Sequence, residues 1–306
     1  MGAQLRVYRR RIRTVQSTKK ITKAMELIAA SRIGRLKARR NAALPYAREL
    51  TRALAALGGT ASLKHPMLTG ADNPRRAGVL VVTSDRGLAG GYNVNVLKRA
   101  NGLIAELHAA GRETALYVIG RKGATYYRFR RVETAGSWTG FSEQPQFLDA
   151  RAATEAVVAA VAATSEGEAN GQPGVDELYL VYTVFESAIT QSPTVAKVAP
   201  VEIGGAAGEE ESGPAASYDF EPEPEELLDV LLPRYISARI FAALLESAAS
   251  ESASRRRAMK SASDNADDLM TTFTRLANQA RQAEITQEIS EIVGGADALA
   301  AAAKEA

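Results

Sequence analysis

The chain has 306 residues, 46% of them hydrophobic and 24% charged, which is enough for a sizeable core and, by length, for about two domains. It contains no Cys, which excludes disulfides, thiolate metal sites, thiol nucleophiles and a dithiol switch; its two histidines, His65 and His108, are too far apart in sequence to share a metal-ligand spacing. No stretch approaches the roughly 18 apolar residues of a membrane span, and the Arg-rich start leads into a helical pattern instead of a cleavable leader.

The formal charge of +3 conceals two poles. Residues 1–52 carry fifteen Lys or Arg against only Glu26 and Glu49, a local balance of +13, whereas residues 202–229 carry ten acidic residues and no Lys or Arg. A strongly basic segment implies an acidic partner, which can be nucleic acid, anionic lipid or an acidic protein surface. Charge alone does not choose among them.

From about Leu5 to Leu57 the chain is dense in Ala, Arg, Lys and Leu, and a long helix is predicted. Every seventh residue from Val15 forms one row: Thr22, Ala29, Leu36, Ala43, Leu50 and Leu57. Ile21, Met25 and Ile28 lie near it, and Arg32 and Arg35 break the second row. Pro45 is expected to kink or interrupt this helix.

The middle of the chain changes period. Gly78–Thr83 is a short β-branched run that ends in Ser84-Asp85-Arg86-Gly87, and Ala115–Gly120 repeats the pattern after a helical stretch near Asn95–Ala110. Leu178–Phe185 follows a helical stretch near Ala152–Ala163. Strands that alternate with helices predict a βαβ-type, Rossmann-like α/β domain with a mostly parallel sheet. Residues 165–174 are polar, Gly-rich and aperiodic, so an exposed loop is expected. The acidic stretch near Gly204–Pro224 reads as a linker, with any strand near Ser217–Phe220 short.

From Leu227 to Ala283, steps of four and three pick out a mostly apolar row that includes Leu231, Ala238, Leu245, Met259, Ala262, Ala266, Leu269, Phe273 and Leu276. This is the heptad pattern of a coiled-coil seam, over a helix on the order of 100 Å long at about 1.5 Å per residue. Ile285, Ile289 and Ile292 extend the stripe until Gly294 and Gly295 weaken it. Two such helices at opposite ends of one chain are expected to pair antiparallel around the inserted α/β domain. The predicted organisation is an N-terminal helix over 1–60, an α/β domain over 75–200, an acidic linker over 201–225, a C-terminal helix over 226–296 and a tail over 297–306.

Motifs for chemistry are weak. Gly87-Leu88-Ala89-Gly90-Gly91 lacks the G-x-G-x-x-G spacing, and no G-K-[ST] follows it, so turn glycines beside a sheet are the better reading than a phosphate loop. Ser84 has no recognisable base, and Asp85 and Arg86 fit either a loop ion pair or a contact with a neighbouring subunit. The basic helix offers only Tyr8 and Tyr46 for base stacking. No catalytic, cofactor or metal site is assigned.

Four blocks go further. Val15–Ser31, Ser84–Asn93, Met259–Ala266 and Ile285–Ala296 resemble, in order and in wording, the signature segments of bacterial F-type ATP synthase gamma subunits, and the resemblance covers nearly the whole chain. It implies a central rotor shaft without an active site. Such a shaft would couple proton flow through the membrane sector to ATP synthesis or hydrolysis on beta subunits. Implied partners are three alpha and three beta subunits, epsilon and the ring of c subunits, with no nucleic acid and a peripheral place on the cytoplasmic face of the cell membrane. By motif, Lys19, Lys23, Met25 and Glu26 correspond to a patch that meets a lever loop of beta. Arg281, Gln282 and Thr286 correspond to residues that bond a catch loop of beta, beside the block of Met259, Lys260, Asp264 and Asn265. Ala89 stands where many relatives have Cys, and residues 165–174 are similar to an insertion of actinobacterial members. The competing readings are a coiled-coil scaffold with a nucleic-acid-binding basic arm and a nucleotide-dependent α/β enzyme.

Overall fold

The computed structural model describes residues 2–60, 65–201 and 223–305. It divides into two compact units, one of Met1–Ile28 with Arg256–Ala306 and one of Ala29–Arg255. The linker expected over 201–225 lies outside the described residues from 202 to 222, and so does the short strand expected near Ser217–Phe220.

The larger unit is built on a five-stranded sheet of β1 (Arg76–Val82), β2 (Glu113–Ile119), β3 (Gly136–Trp138), β6 (Glu177–Phe185) and β7 (Gln191–Ala199), in the order β3-β2-β1-β6-β7. β1 runs parallel to β2 and β6, β2 parallel to β3, and only the edge strand β7 is antiparallel. The connections are helices α3 (Tyr92–Ala109), α4 (Arg121–Phe129) and α5 (Phe147–Ala163). Helix covers both faces, so β1 and β2 read as unbroken apolar runs, and the period of two sorts their side chains. Val79, Val81, Leu116 and Val118 meet Val96, Leu97, Leu103 and Tyr127 of α3 and α4. Leu80, Val82, Tyr117 and Ile119 turn the other way, into a core with Val157 and Val161 of α5.

Two long helices complete that second core: α1 (Gly2–Thr60) through Leu50, Leu54 and Leu57, and α6 (Pro224–Glu305) through Leu228, Leu232, Ile236, Ile240 and Leu244. α1 continues through Pro45, so the interruption expected there does not occur. A proline inside a helix costs about 3 kcal/mol. Burial of Leu50, Leu54 and Leu57 one to three turns later, at about 1.5–3 kcal/mol each, outweighs it. α6 likewise runs through Gly294 and Gly295. A four-residue helix, α2 (Pro66–Thr69), lies against the chain beyond β7, where the Val201 amide donates to the Met67 carbonyl at 2.7 Å.

Residues 165–174, expected to be an exposed loop, hold a small hairpin of β4 (Glu168–Ala169) and β5 (Gln172–Pro173). Asn170 and Gly171 turn it with φ of 54° and 75°, the left-handed pair that a two-residue hairpin turn needs and that Asn-Gly supplies.

The smaller unit is an antiparallel pair formed by residues 2–28 of α1 and 256–305 of α6. The partners run in opposite order: Arg11 lies over the Phe273 ring at 5.6 Å, Lys19 pairs with Asp267 at 2.5 Å, and the Thr22 and Ser263 hydroxyls bond at 2.7 Å. On α1 the inward rows are Val15, Thr22 and Met25, and Ile12, Lys19 and Glu26, each buried or half-buried except at its charged tips. On α6 the buried or half-buried row is Met259, Ser263, Ala266, Met270, Phe273 and Ala277. The heptad step is the expected one. Its second row is widened by residues one position later, Ser263, Met270 and Ala277, beside half-buried Ala262 and Leu276, and Leu269 is 47% exposed.

Candidate functional site

All eleven residues matched to the family's contact motifs fall in the smaller unit. Helix geometry sorts them, because residues three or four apart share a face. Lys23 donates to Glu26 at 3.0 Å, with the Glu26 side chain nearly buried and that of Lys23 56% exposed. Lys19 is bound to Asp267, and both side chains reach solvent. Lys260 and Asp264 form an exposed i,i+4 pair at 3.2 Å, beside exposed Asn265. Met259 is buried in the seam, and Met25 is half-buried. Arg281, Gln282 and Thr286 are exposed along α6; the Thr286 carbonyl accepts a bond from the Ser290 hydroxyl at 2.9 Å.

Exposed ion pairs such as Lys260–Asp264 stabilise by only about 0–1 kcal/mol. Their placement matters more: this unit presents cations, amides and hydroxyls on rigid helix. It also leaves apolar side chains in water, with Ile21 and Leu27 each 61% exposed, Ile28 53%, Ile289 55% and Ile292 72%. Reading the sequence had missed Asp267 and Ser263, whose partners Lys19 and Thr22 lie about 240 residues away and leave no local signal.

The Ser84–Asn93 block belongs to the larger unit, at the carboxyl end of β1. The Ser84 amide donates to Asn93 Oδ1 at 2.9 Å, and the Ser84 hydroxyl donates to the Arg86 carbonyl at 2.7 Å, so Ser84 shapes a turn. Asp85 is a hub: Oδ1 accepts from the Arg121 amide at 3.0 Å, and Oδ2 accepts from those of Gly140 and Ser142 at 2.8 and 2.9 Å. Burial pushes its pKa up, but the bonds from Ser142, Gly140 and Arg121 outweigh that and hold the carboxyl below its ordinary range. Asp85 is thus tied within this chain, and Arg86, whose side chain is 73% exposed, reaches Glu143 at 3.5 Å.

The ATP synthase family profile matches residues 4–299. ATP synthase gamma chains of Frankia casuarinae and Mycolicibacterium smegmatis are 57% and 55% identical over 300 and 305 residues, in each case covering 98% of this chain and 99% of the relative. The chain belongs to the ATP synthase gamma chain family. It is therefore of the central-stalk subunit type, and the alternative of a nucleic-acid-binding scaffold finds no support. The fold is shared with the rotor of the Euglena gracilis mitochondrial ATP synthase, at a TM-score of 0.65 and 15% identity over 93% of this chain and 100% of that one. It is shared also with a chain of the Tetrahymena thermophila central stalk and c-ring, at a TM-score of 0.57 and 22% identity over 79% and 99%. Among the described residues, no helix is long and apolar enough to cross a membrane.

Proposed function

We propose that the chain is the non-catalytic rotor shaft of a proton-translocating ATP synthase. In this role it turns within a ring of three alpha and three beta subunits and couples rotation to catalysis on beta. Epsilon and the c-ring are its partners at the α/β domain, and the whole complex places it peripherally on the cytoplasmic face of the cell membrane. The observation that carries this reading is the antiparallel pair of chain termini, with its polar contact residues and uncovered apolar side chains, in a chain related over its full length to gamma chains. Coupling works through differential contact: an asymmetric helical surface favours one state of each beta subunit at each angle, and by linkage a change of state on beta favours one angle.

Lys19, Lys23, Met25 and Glu26 form the contact with one acidic loop of beta, to which the basic residues supply charge complementarity. Arg281, Gln282 and Thr286 hydrogen-bond a second loop, flanked by Met259, Lys260, Asp264 and Asn265. Co-expression with alpha and beta subunits of the same organism, followed by mass measurement, is expected to yield one copy per three alpha and three beta. A chain that stays apart from a well-formed ring would overturn the reading. In assembled enzyme, Arg281→Ala with Gln282→Ala is expected to lower coupled ATP synthesis by about tenfold, on the order of 1.4 kcal/mol, while α6 stays folded. Full coupling in that variant removes these residues from the contact.

A further inference from the structure

Four separate stretches of the larger unit meet in one ionic cluster. Glu143, in the loop before α5, binds Arg32 of α1 at 2.5 Å, Arg86 of the β1–α3 loop at 3.5 Å and Arg255 of α6 at 3.5 Å. Arg255 also binds Glu251 one turn earlier at 2.6 Å, and it donates to the Arg86 and Gly87 carbonyls at 3.4 and 3.3 Å. The Ser142 hydroxyl donates to Glu251 at 3.3 Å and accepts from the Asp85 amide at 2.8 Å. The Arg255 and Glu251 side chains are 6% and 1% exposed, and those of Glu143 and Arg32 are 17% and 21%. Arg255 is the last residue of this unit on α6, and Arg32 lies three residues inside it on α1.

Stability does not account for such a cluster, since desolvation of buried charges roughly cancels their attraction. Geometry does. The neighbouring buried residues on α6, Ala248, Ala249, Ser250, Ser252 and Ala253, are small and allow close approach, and the large side chains packed there, Ile33, Leu36 and Phe185, meet them through apolar contact. Apolar contact is non-directional, whereas a guanidinium fork fixes both distance and angle. Here three guanidinium groups converge on one carboxylate, from α1 by a hydrogen bond, and from α6 and the loop that Asp85 ties to Arg121, Gly140 and Ser142 by longer ion pairs.

We infer that Arg32, Glu143, Glu251 and Arg255 form a torsional clamp: positioning residues that lock the angle of the α/β domain to both long helices, so that torque on the domain reaches the helices without slip. The inference rests on the rotor reading, and its test separates the two. In the assembled alpha–beta–gamma complex, a probe is attached through Phe129→Cys, a position 86% exposed on α4, and its angular fluctuation is recorded with the catalytic ring stalled. Glu143→Gln is expected to raise the angular variance by about twofold or more, as when one of two comparable restraints is lost, while unloaded ATP hydrolysis stays within about twofold. Glu143→Asp, which keeps the charge, is expected to restore most of the stiffness. If Glu143→Gln fails to assemble, Arg32→Gln, which removes one guanidinium and leaves Glu143 with two, is read in the same way. Assembly with unchanged variance in these variants overturns the clamp and leaves the rotor reading intact; failure of the unsubstituted chain to join the ring overturns the rotor reading itself.

Discussion

Replacing Asp85 separates the charge of its carboxylate from its role as an acceptor. Asp85→Ala leaves three amide donors without a partner. The Ser142 amide belongs to a buried residue and loses its bond outright, at about 1–3 kcal/mol; Arg121 and Gly140 are exposed, so water replaces much of what they lose, at about 0.5 kcal/mol each. The sum is about 3 kcal/mol. Asp85→Asn with its carbonyl oxygen in the Oδ2 position keeps the bonds from Gly140 and Ser142 but turns an NH2 toward the Arg121 amide, so about half that loss is expected. The assay is urea unfolding followed by fluorescence of Trp138, the single tryptophan, which stacks on Tyr117 within the sheet at 6.4 Å between centroids. The Asp85 carboxyl titrates below its unfolded value of 3.8, so its contribution is present above pH 3.8 and is lost as pH falls through the folded value. The gap between Asp85→Asn and the unsubstituted chain should therefore narrow in acid. An alanine variant within about 0.5 kcal/mol of the unsubstituted chain would refute the hub.

Gly120 has φ of +102°, and a Cβ there would sit 2.2 Å from the Thr83 carbonyl oxygen. Gly120→Ala is therefore expected to cost more than about 3 kcal/mol, seen as loss of soluble chain or of cooperative unfolding. Pro45 is exposed within α1, so Pro45→Ala restores an N–H bond toward Asn41 and should stabilise by about 1–3 kcal/mol; an unchanged unfolding midpoint would mean that the helix has already relaxed around the ring. For Glu251, burial raises the pKa from 4.5 to about 7 against the lowering effect of Arg255, with Glu143 adding to the rise. The folded state then holds the proton more tightly than the unfolded state, so the contribution of Glu251 to stability is greatest below pH 4.5 and falls by about 3 kcal/mol as pH rises to 7. Relative to Glu251→Gln, which does not titrate, the unsubstituted chain should lose stability across that window; a pH-independent difference contradicts it.

Much of the fold is legible in local pattern. Two long helices, three strands at Gly78–Thr83, Ala115–Gly120 and Leu178–Phe185, and the alternation of β with α follow from spacing, because burial of one helical face or both sheet faces dictates which positions are apolar. β7 was not legible: Gln191–Ala199 contains Pro193 and is mostly half-buried, which an edge strand tolerates since its outer side needs no ladder bond. The hairpin at Asn170-Gly171 was signalled by that pair but had too little apolar flank to stand out.

By itself the sequence determined the class of the chain, its long terminal helices, its heptad step and its kinship, because these rest on side-chain period and on local wording. Tertiary structure alone decided which residues flank the inward heptad row and what the charged residues do. The second α1 row carries Lys19, Glu26 and Arg40, which look like solvent positions until Asp267, Lys23 and Glu246 are seen to neutralise them. Likewise Arg32, Arg86, Glu143 and Arg255 converge from stretches of chain far apart in sequence. An ion pair is defined by distance in space, and the long-range folding that brings its two halves together leaves no periodic trace along the chain.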